Sequence, residues 1–540
     1  MSRDFSTPSK QPNPENRRLG HAAGVVSFFT FLSRILGLVR DMVIAGLFGS
    51  GLAADAFFVA FRIPNLLRRL FAEGSLTIAF IPVFTEYLTL KTKNEAFDLA
   101  RVVLTILSII LAVVTLMGVL FSPWIVRLQA FGFGGSGAKY ELTVLLTRIM
   151  FPYIFFISVV AFFMGVLNSL RRFAAPAAAP ILLNVAIIAA AYLISPRCGT
   201  PIVGVAIGVL IGGVLQVALQ VPWAIREGLT LLPKWETGHP ALKRIGILML
   251  PAIFGSAVYQ VNQFIGTLLA TFLPEGSVSW LYYADRLVQF PLGIFAIAIS
   301  TAALPSLSTE AARKDLVQFE STLNHALSLV FFITLPSTAG LIVLGRPLVQ
   351  VLFQRGAFDA TASAMTNYAL LYYTLGLWAF SAIRVMVSAF YALQDTKTPV
   401  KVAVITLVVN AGLSLVLMGP LKHGGLALAL SVASSFQFFL LIIILKRNGF
   451  IKNIKLILIS TAKSALAASL MGLALYGCLS MWLTADPQAG VFRMIVHLSA
   501  LVAIGIIIYF GLARVLGCEE IRSIQEMTWR RMRRKSRSAA

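Results

Sequence analysis

The chain has 540 residues, 58% of them hydrophobic and only 12% charged, with a mean hydropathy of +0.85. Soluble domains carry roughly 25% charged residues, so this composition excludes an ordinary water-soluble globule. The net charge of +23 would suit nucleic acid if it clustered on a soluble face, but here the basic residues gather in tails and short loops between apolar stretches.

Apolar windows of about 20 residues, the length that crosses a hydrocarbon core, recur along the chain and leave no room for a sizeable soluble domain. Fourteen spans are expected, at approximately 22–48, 54–88, 98–123, 141–169, 175–195, 201–225, 245–272, 277–308, 317–344, 360–392, 399–418, 424–445, 456–483 and 491–516. With both termini cytoplasmic, the cytoplasmic tails and loops hold roughly 27 Lys and Arg against about 6 outside, the asymmetry of the positive-inside rule. Residues 1–20 are polar and rich in Pro, Asn and Ser and read as a disordered cytoplasmic tail. The first apolar stretch lacks a small-residue cleavage site, so it reads as a retained helix. The basic tail 518–540, with Arg530, Arg531, Arg533, Arg534, Lys535 and Arg537, suits anionic lipid headgroups better than nucleic acid. Cys198, Cys478 and Cys518 form no CxxC pattern and suggest neither a metal site nor a disulfide framework.

The chain compares with itself at an offset of about 221–224 residues. Phe58-Val59-Ala60-Phe61-Arg62 lines up with Tyr282-Tyr283-Ala284-Asp285-Arg286, Leu170 and Pro176 with Leu393 and Pro399, and Gly204 and Gln216 with Gly425 and Gln437. The implied organisation is all-α: two pseudo-symmetric six-helix lobes, 21–230 and 240–448, around a central cavity, plus two additional transmembrane helices at 454–517. A parallel repeat with binding groups near mid-depth is the arrangement of alternating-access carriers. The last two helices have no counterpart in the repeat, and their long apolar surfaces offer a groove for a lipid tail.

Charge inside the membrane is costly, about 2.5–3.5 kcal/mol per residue at the bilayer centre, and marks a polar cavity or ligand. Ser33 to Gly74 carries Arg34, Arg40, Arg62, Arg68 and Arg69 against Asp41, Asp55 and Glu73. Arg34 and Asp41 are seven residues apart and share a helix face, with Arg40 about 120° away, so the spacing predicts one internal pair and a spare arginine. On the next span Asp55, Arg62 and Arg69 repeat every seven residues, with Asn65 and Arg68 alongside. Glu73 lies one turn beyond Arg69, placed for an i,i+4 ion pair. Pro64 removes a helix hydrogen bond in that series and predicts a kink or break. Asp285-Arg286 before Pro291 and Gly293 repeats the pattern, and Arg384 adds another cation in the second lobe. The seven arginines exceed the four acids Asp41, Asp55, Glu73 and Asp285, and the planar guanidinium fork suits phosphate. The expected ligand is an anion, and a diphosphate above all.

Elsewhere the residues read as structural. His325 and His497 are single imidazoles in apolar spans. Gly132 to Lys139 resembles a phosphate loop but lacks the Gly-Lys-Ser/Thr ending, so it reads as a flexible loop, and no nucleotide-hydrolysing motor or catalytic arrangement emerges.

The runs Ser33-Arg34-Ile35-Leu36-Gly37-Leu38-Val39-Arg40-Asp41, Ala54-Asp55-Ala56-Phe57-Phe58-Val59-Ala60-Phe61, Pro64-Asn65-Leu66-Leu67-Arg68-Arg69 and Phe71-Ala72-Glu73-Gly74 closely resemble the MurJ (MviN) lipid II flippase family. The resemblance continues through Gly276 to Trp280, Tyr282 to Leu287 and Gln394 to Lys401. It implies a bacterial cytoplasmic-membrane flippase of the multidrug/oligosaccharidyl-lipid/polysaccharide exporter superfamily, a non-enzymatic carrier with fourteen helices that acts as a monomer. Its implied substrate is lipid II, the undecaprenyl-diphosphate-linked peptidoglycan precursor, moved to the outer leaflet in the service of cell-wall synthesis. By position the family's functional arginines fall on Arg34, Arg40, Arg68 and Arg286, with Ser33, Asp55, Asn65 and Glu73 in the same motifs and Arg62, Asp285 and Arg384 as supporting cavity residues. Gln289 stands where some relatives are expected to carry an acid, and the extension before residue 20 is longer than the family's. No cofactor is implied; a coupling ion or the membrane potential would drive the cycle. The alternatives are a flippase for another polyprenyl-diphosphate glycan, a cation- or proton-coupled drug exporter of the same superfamily, and a non-transporting scaffold or nucleotide-sugar transferase.

Overall fold

The computed structural model describes residues 14–68, 76–483 and 490–521, and among these every regular element is helical. In order they are α1 (Pro14–Phe48), α2 (Leu52–Leu67), α3 (Thr77–Leu90), α4 (Lys93–Leu120), α5 (Ser122–Gln129), α6 (Ala138–Met150), α7 (Tyr153–Ser169), α8 (Ala174–Leu193) and α9 (Ile202–Arg226). There follow α10 (Pro240–Ala270), α11 (Ser277–Pro291), α12 (Ile297–Ala312), α13 (Leu316–Phe353), α14 (Ala360–Thr374), α15 (Leu377–Ala392), α16 (Lys397–Arg447), α17 (Lys455–Leu483) and α18 (Val491–Val515). Nine helical runs among the described residues are long and apolar enough to cross a membrane, ten when α14 and α15, bent by 43°, are taken as one span. The fold is that of a polytopic all-helical membrane protein.

The boundaries follow local chemistry. α1 begins at Pro14, inside the polar stretch 1–20, because proline is preorganised for the first helical position and has no amide hydrogen to leave unsatisfied there. Residues 1–13 and the basic run 530–537 lie outside the described residues. Thr92 caps α4, accepting from the Glu95 amide at 3.2 Å while its hydroxyl donates to Glu95 Oε1 at 3.0 Å, a variant of the capping box. Asp359 caps α14 by accepting from the Ala362 amide at 2.7 Å. The 51 residues of α16 would measure about 76 Å if straight, far more than a bilayer needs. They turn at Lys422, whose φ of 50° and ψ of −131° leave the helical region just after Pro420, so two of the expected spans are joined there.

The chain forms two compact units, Met1–Ile44, Ala56–Leu128 and Gly134–Gln260 in the first, and Ala45–Asp55, Gln129–Phe133 and Val261–Ala540 in the second. The first is built on Phe80, Phe84, Phe97, Phe162 and Val166, which α3, α4 and α7 bring together. There α8 and α9 approach so closely that a Cβ on Gly208 would come within 2.6 Å of the Ala190 Cβ, the small-residue packing by which membrane helices gain contact. The second holds two cores. One joins α12, α13, α15 and α16 through Leu307, Phe319, Leu327, Phe390 and Leu441. The other joins α13 to α17 and α18 through Phe332, Leu344, Leu475, Leu501 and Tyr509, and the Tyr509 hydroxyl donates to the Phe332 carbonyl at 2.6 Å. Compactness therefore groups α17 and α18 with α13, whereas the repeat sets 454–517 apart from the lobes.

Each unit contains the same backbone devices at the offset of the internal repeat. After α7, Arg171 takes a φ of 61° and the Arg172 amide donates to the Leu167 carbonyl at 2.8 Å. After α15, 223 residues on, Gln394 takes a φ of 60° and the Asp395 amide donates to the Phe390 carbonyl at 2.9 Å. Both are left-handed helix ends with a six-residue closing bond. The pattern recurs 221 residues apart after α9 and α16: the Leu229 amide donates to Ala224 at 3.1 Å and the Phe450 amide to Leu445 at 3.0 Å, with Gly228 and Gly449 at positive φ. Asp395 also accepts from the Lys397 and Thr398 amides at 3.1 and 2.9 Å. Burial opposes its ionisation, but the hydrogen bonds from Thr398 and Lys397 and the Lys401 ammonium outweigh it and hold the carboxyl below the usual carboxylate range.

Candidate functional site

On α1, in the first unit, Ser33, Gly37 and Arg40 face Asn184 of α8. The Asn184 Nδ2 donates to the Ser33 carbonyl at 3.1 Å and lies 3.8 Å from where a Gly37 Cβ would stand. Arg40 Nη1 donates to Asn184 Oδ1 at 3.2 Å, and its Nε and Nη2 reach Asp41 Oδ1 at 3.0 and 2.7 Å. Arg40 is 7% exposed and Asp41 1%. The internal pair on α1 is thus Arg40–Asp41, not the Arg34–Asp41 pair that seven-residue spacing predicts. The reason is reach: neighbouring Cα–Cβ bonds diverge by about 100°, but an arginine side chain is long enough to fold back across that angle. Arg34 is exposed, and among the described residues no hydrogen bond or ion pair reaches it.

The end of α2 places Arg68 beside Asn65, whose Oδ1 accepts from Arg68 Nε at 3.0 Å. Arg62 and Arg68 are half-buried. Pro64 sits within α2, which continues for three residues to Leu67. Residues 69–75 lie outside the described residues, and with them Glu73 and the expected Arg69–Glu73 pair.

Asp55 opens onto a different element. Its Oδ2 accepts from the Gly276 amide at 2.8 Å, and its Oδ1 from the Ser279 amide at 3.0 Å and hydroxyl at 2.7 Å. The carboxylate is 1% exposed and caps the N-terminus of α11 from outside that helix, where unsatisfied amides and the helix dipole favour negative charge. Close by, Glu275 Oε1 accepts from the Leu52 amide at 2.7 Å, and Trp280 Nε1 donates to the Ser50 hydroxyl at 2.9 Å. The sequence places Asp55 among the cavity residues; its capping role depends on a contact 221–224 residues distant that local spacing does not reveal.

Along α11 in the second unit, Arg286 lies over the Tyr282 ring at 5.0 Å from the centroid and donates from Nη2 to the Tyr282 hydroxyl at 2.8 Å. The ring holds the guanidinium by stacking and hydrogen bonding together. Gln289 donates to Asp285 one turn away, so this amide serves as partner to a carboxylate. As Pro291 predicts, the helix is perturbed just beyond, in a π-helical turn over Leu292–Ala296; proline cannot supply the amide that the regular ladder requires. Arg384 is an exposed residue of α15.

A polytopic all-helical membrane protein with arginines along its helices is the class that fold and residues define, and comparisons place it more finely. The solved structure of lipid II flippase MurJ in an inward closed conformation superposes with a TM-score of 0.77 at 29% identity, over 92% of this chain and 99% of that one. An inward-facing multidrug resistance MATE transporter of the MOP superfamily shares the fold, with a TM-score of 0.65 at 15% identity over 79% of this chain and 98% of that one. The probable lipid II flippase MurJ of Vibrio cholerae is 38% identical over 512 residues, 93% of this chain and 97% of its own. The lipid II flippase MurJ of Burkholderia cenocepacia is 40% identical over 428 residues, covering 78% and 83%. The family model described as lipid II flippase MurJ matches residues 44–496. The chain belongs to the MurJ lipid II flippase family.

Proposed function

We propose that this chain translocates lipid II from the inner to the outer leaflet of the bacterial cytoplasmic membrane by alternating access. The observation that carries the reading is family membership along nearly the whole chain, 93% of it against the Vibrio cholerae relative. Arg34, Arg40, Arg68 and Arg286 are the groups assigned to the diphosphate. Their chemistry fits, since guanidinium stays charged when partly desolvated and donates in pairs to phosphate oxygens. The polyprenyl tail remains in lipid, along the apolar surfaces of α17 and α18. The chain performs no bond-breaking step and works as a monomer with both termini in the cytoplasm.

The membrane potential is one source of drive, worth about 2.3 kcal/mol per elementary charge per 100 mV to a carrier whose charged groups move across the field. A cation-exporting role suits the residues less well, because a cationic drug calls for acidic or aromatic receivers where this sequence concentrates arginine.

Ligand binding tests the reading. Purified protein in detergent should retain lipid II, lose it to excess undecaprenyl diphosphate, and ignore a lipophilic cation of similar size. Preference for the cation would replace this function with drug export.

A further inference from the structure

In the second unit a cavity of about 450 Å³ opens between the first turns of α13 and α17 and the end of α18. That volume falls within the roughly 300–1,000 Å³ of small-molecule sites. Its lining is unlike that of the arginine-bearing segments. Glu320, Glu519 and Glu520 supply three carboxyl groups against the single amine of Lys463, an excess of two acidic side chains. Glu520 is 4% exposed and Asn324 8%. Ser460 donates to Glu520 Oε1, but among the described residues no hydrogen-bond partner reaches the buried Glu520 Oε2 and Asn324 Oδ1. Buried acceptors of this kind are costly unless something donates to them.

The exposed part of the lining is mixed: Val317, Leu456 and Ile459, which are 76%, 61% and 46% exposed, supply an apolar side beside the polar Ser321, His325, Asn453 and Glu519. Lys463 Nζ donates to the Gly517 carbonyl at 3.1 Å, and an ammonium has three N–H groups, so it retains donors for an anion near the acidic floor. We propose that this cavity holds the headgroup of a phospholipid with a primary ammonium, of the phosphatidylethanolamine class.

The ammonium donates to Glu520 and Asn324, the phosphate meets Lys463, and the acyl chains lie on Val317, Leu456 and Ile459. A quaternary ammonium has no N–H to give those acceptors, which sets phosphatidylcholine apart. An anionic headgroup alone would meet the surplus carboxylates. A metal ion fits poorly, because among the described residues no three His, Cys, Asp or Glu side chains converge to hold one. The exposed Val317, Leu456 and Ile459 favour a lipid over a soluble amine of the same headgroup chemistry.

The test uses the full chain in nanodiscs of equal phosphatidylethanolamine and phosphatidylcholine, stripped progressively with detergent, with the lipid retained per protein measured by mass spectrometry. The wild type should hold phosphatidylethanolamine over phosphatidylcholine by about tenfold, as one charge-assisted hydrogen-bonded contact predicts. Glu520→Gln should bring the two close to parity, and Asn324→Leu should weaken the preference independently if the first variant folds poorly. Equal retention of both lipids by the wild type overturns the assignment, as does an unchanged preference in both variants. Glycerophosphoethanolamine should compete weakly; displacement at concentrations matching the lipid would make a soluble amine the ligand and overturn the lipid assignment.

Discussion

Asp55 and Ser279 are 224 residues apart and hydrogen-bonded twice, through the amide at 3.0 Å and the hydroxyl at 2.7 Å. The internal repeat that aligns Phe58 with Tyr282 also aligns these two residues, so the chain meets its own equivalent position there. Leu52 and Glu275, 223 residues apart and joined at 2.7 Å, repeat the relationship. Segment Ala45–Asp55 consequently belongs to the second compact unit while the rest of α2 belongs to the first.

Asp55→Ala removes the acceptor for three donors and should destabilise the protein by about 3 kcal/mol or more, since hydrogen bonds to charged groups contribute about 1.5–3 kcal/mol each without strict additivity. Ser279→Ala loses only the hydroxyl donor and should cost about 1 kcal/mol. Thermal unfolding in one detergent measures both. Equal stability of Asp55→Ala and wild type would remove the capping role.

The two arginines of α1 should separate. Arg40→Ala takes the guanidinium away from the buried Asp41 Oδ1 and Asn184 Oδ1, and breaking a buried ion pair typically costs about 3–5 kcal/mol, so protein abundance should fall along with activity. Arg34→Ala removes an exposed side chain and should leave abundance normal while transport is lost. Immunoblotting beside complementation of a depleted strain reads both effects. Normal abundance for Arg40→Ala would show that the Arg40–Asp41 pair contributes little to folding.

Arg286→Lys keeps the charge but loses the planar fork stacked on Tyr282, and should retain little transport at normal abundance. Tyr282→Phe keeps the ring and removes only the hydroxyl acceptor, with a cost of about 1 kcal/mol and partial activity. Full complementation by Arg286→Lys would reduce the residue's role to that of a point charge.

Truncation after residue 450 would expose Phe332 and Leu344 of α13, which α17 and α18 cover. Loss of abundance is therefore expected together with loss of flipping. Tyr509→Phe, which removes the hydroxyl that donates to the Phe332 carbonyl, should cost about 1 kcal/mol and spare transport. A truncated chain that is stable and active would make α17 and α18 dispensable for both.

The helices are legible in the sequence because apolar length and breaker residues act locally. Pro291 foretells the π-helical turn at Leu292–Ala296, and the pairing of Leu170 with Leu393 anticipates two matching helix ends at Arg171 and Gln394. Side-chain reach is not legible: helical angles put Asp41 with Arg34, whereas a flexible guanidinium brings Arg40 to its immediate neighbour. Long-range capping is hidden too, since nothing near Asp55 announces that its partners are Gly276 and Ser279. Glu520 lies in the stretch that reads as a basic tail, and only the packing of α18 beside α13 and α17 turns it into a buried carboxylate.

The proposed function requires lipid II to cross the membrane through this chain. Depleting the protein in its own cells and measuring the sidedness of labelled lipid II, with wild-type and Arg286→Ala copies resupplied at matched abundance, tests it most directly. Depletion should trap the label in the inner leaflet, the wild-type copy should restore its outward exposure, and Arg286→Ala should not. Undiminished outward exposure of lipid II during depletion would contradict the assignment.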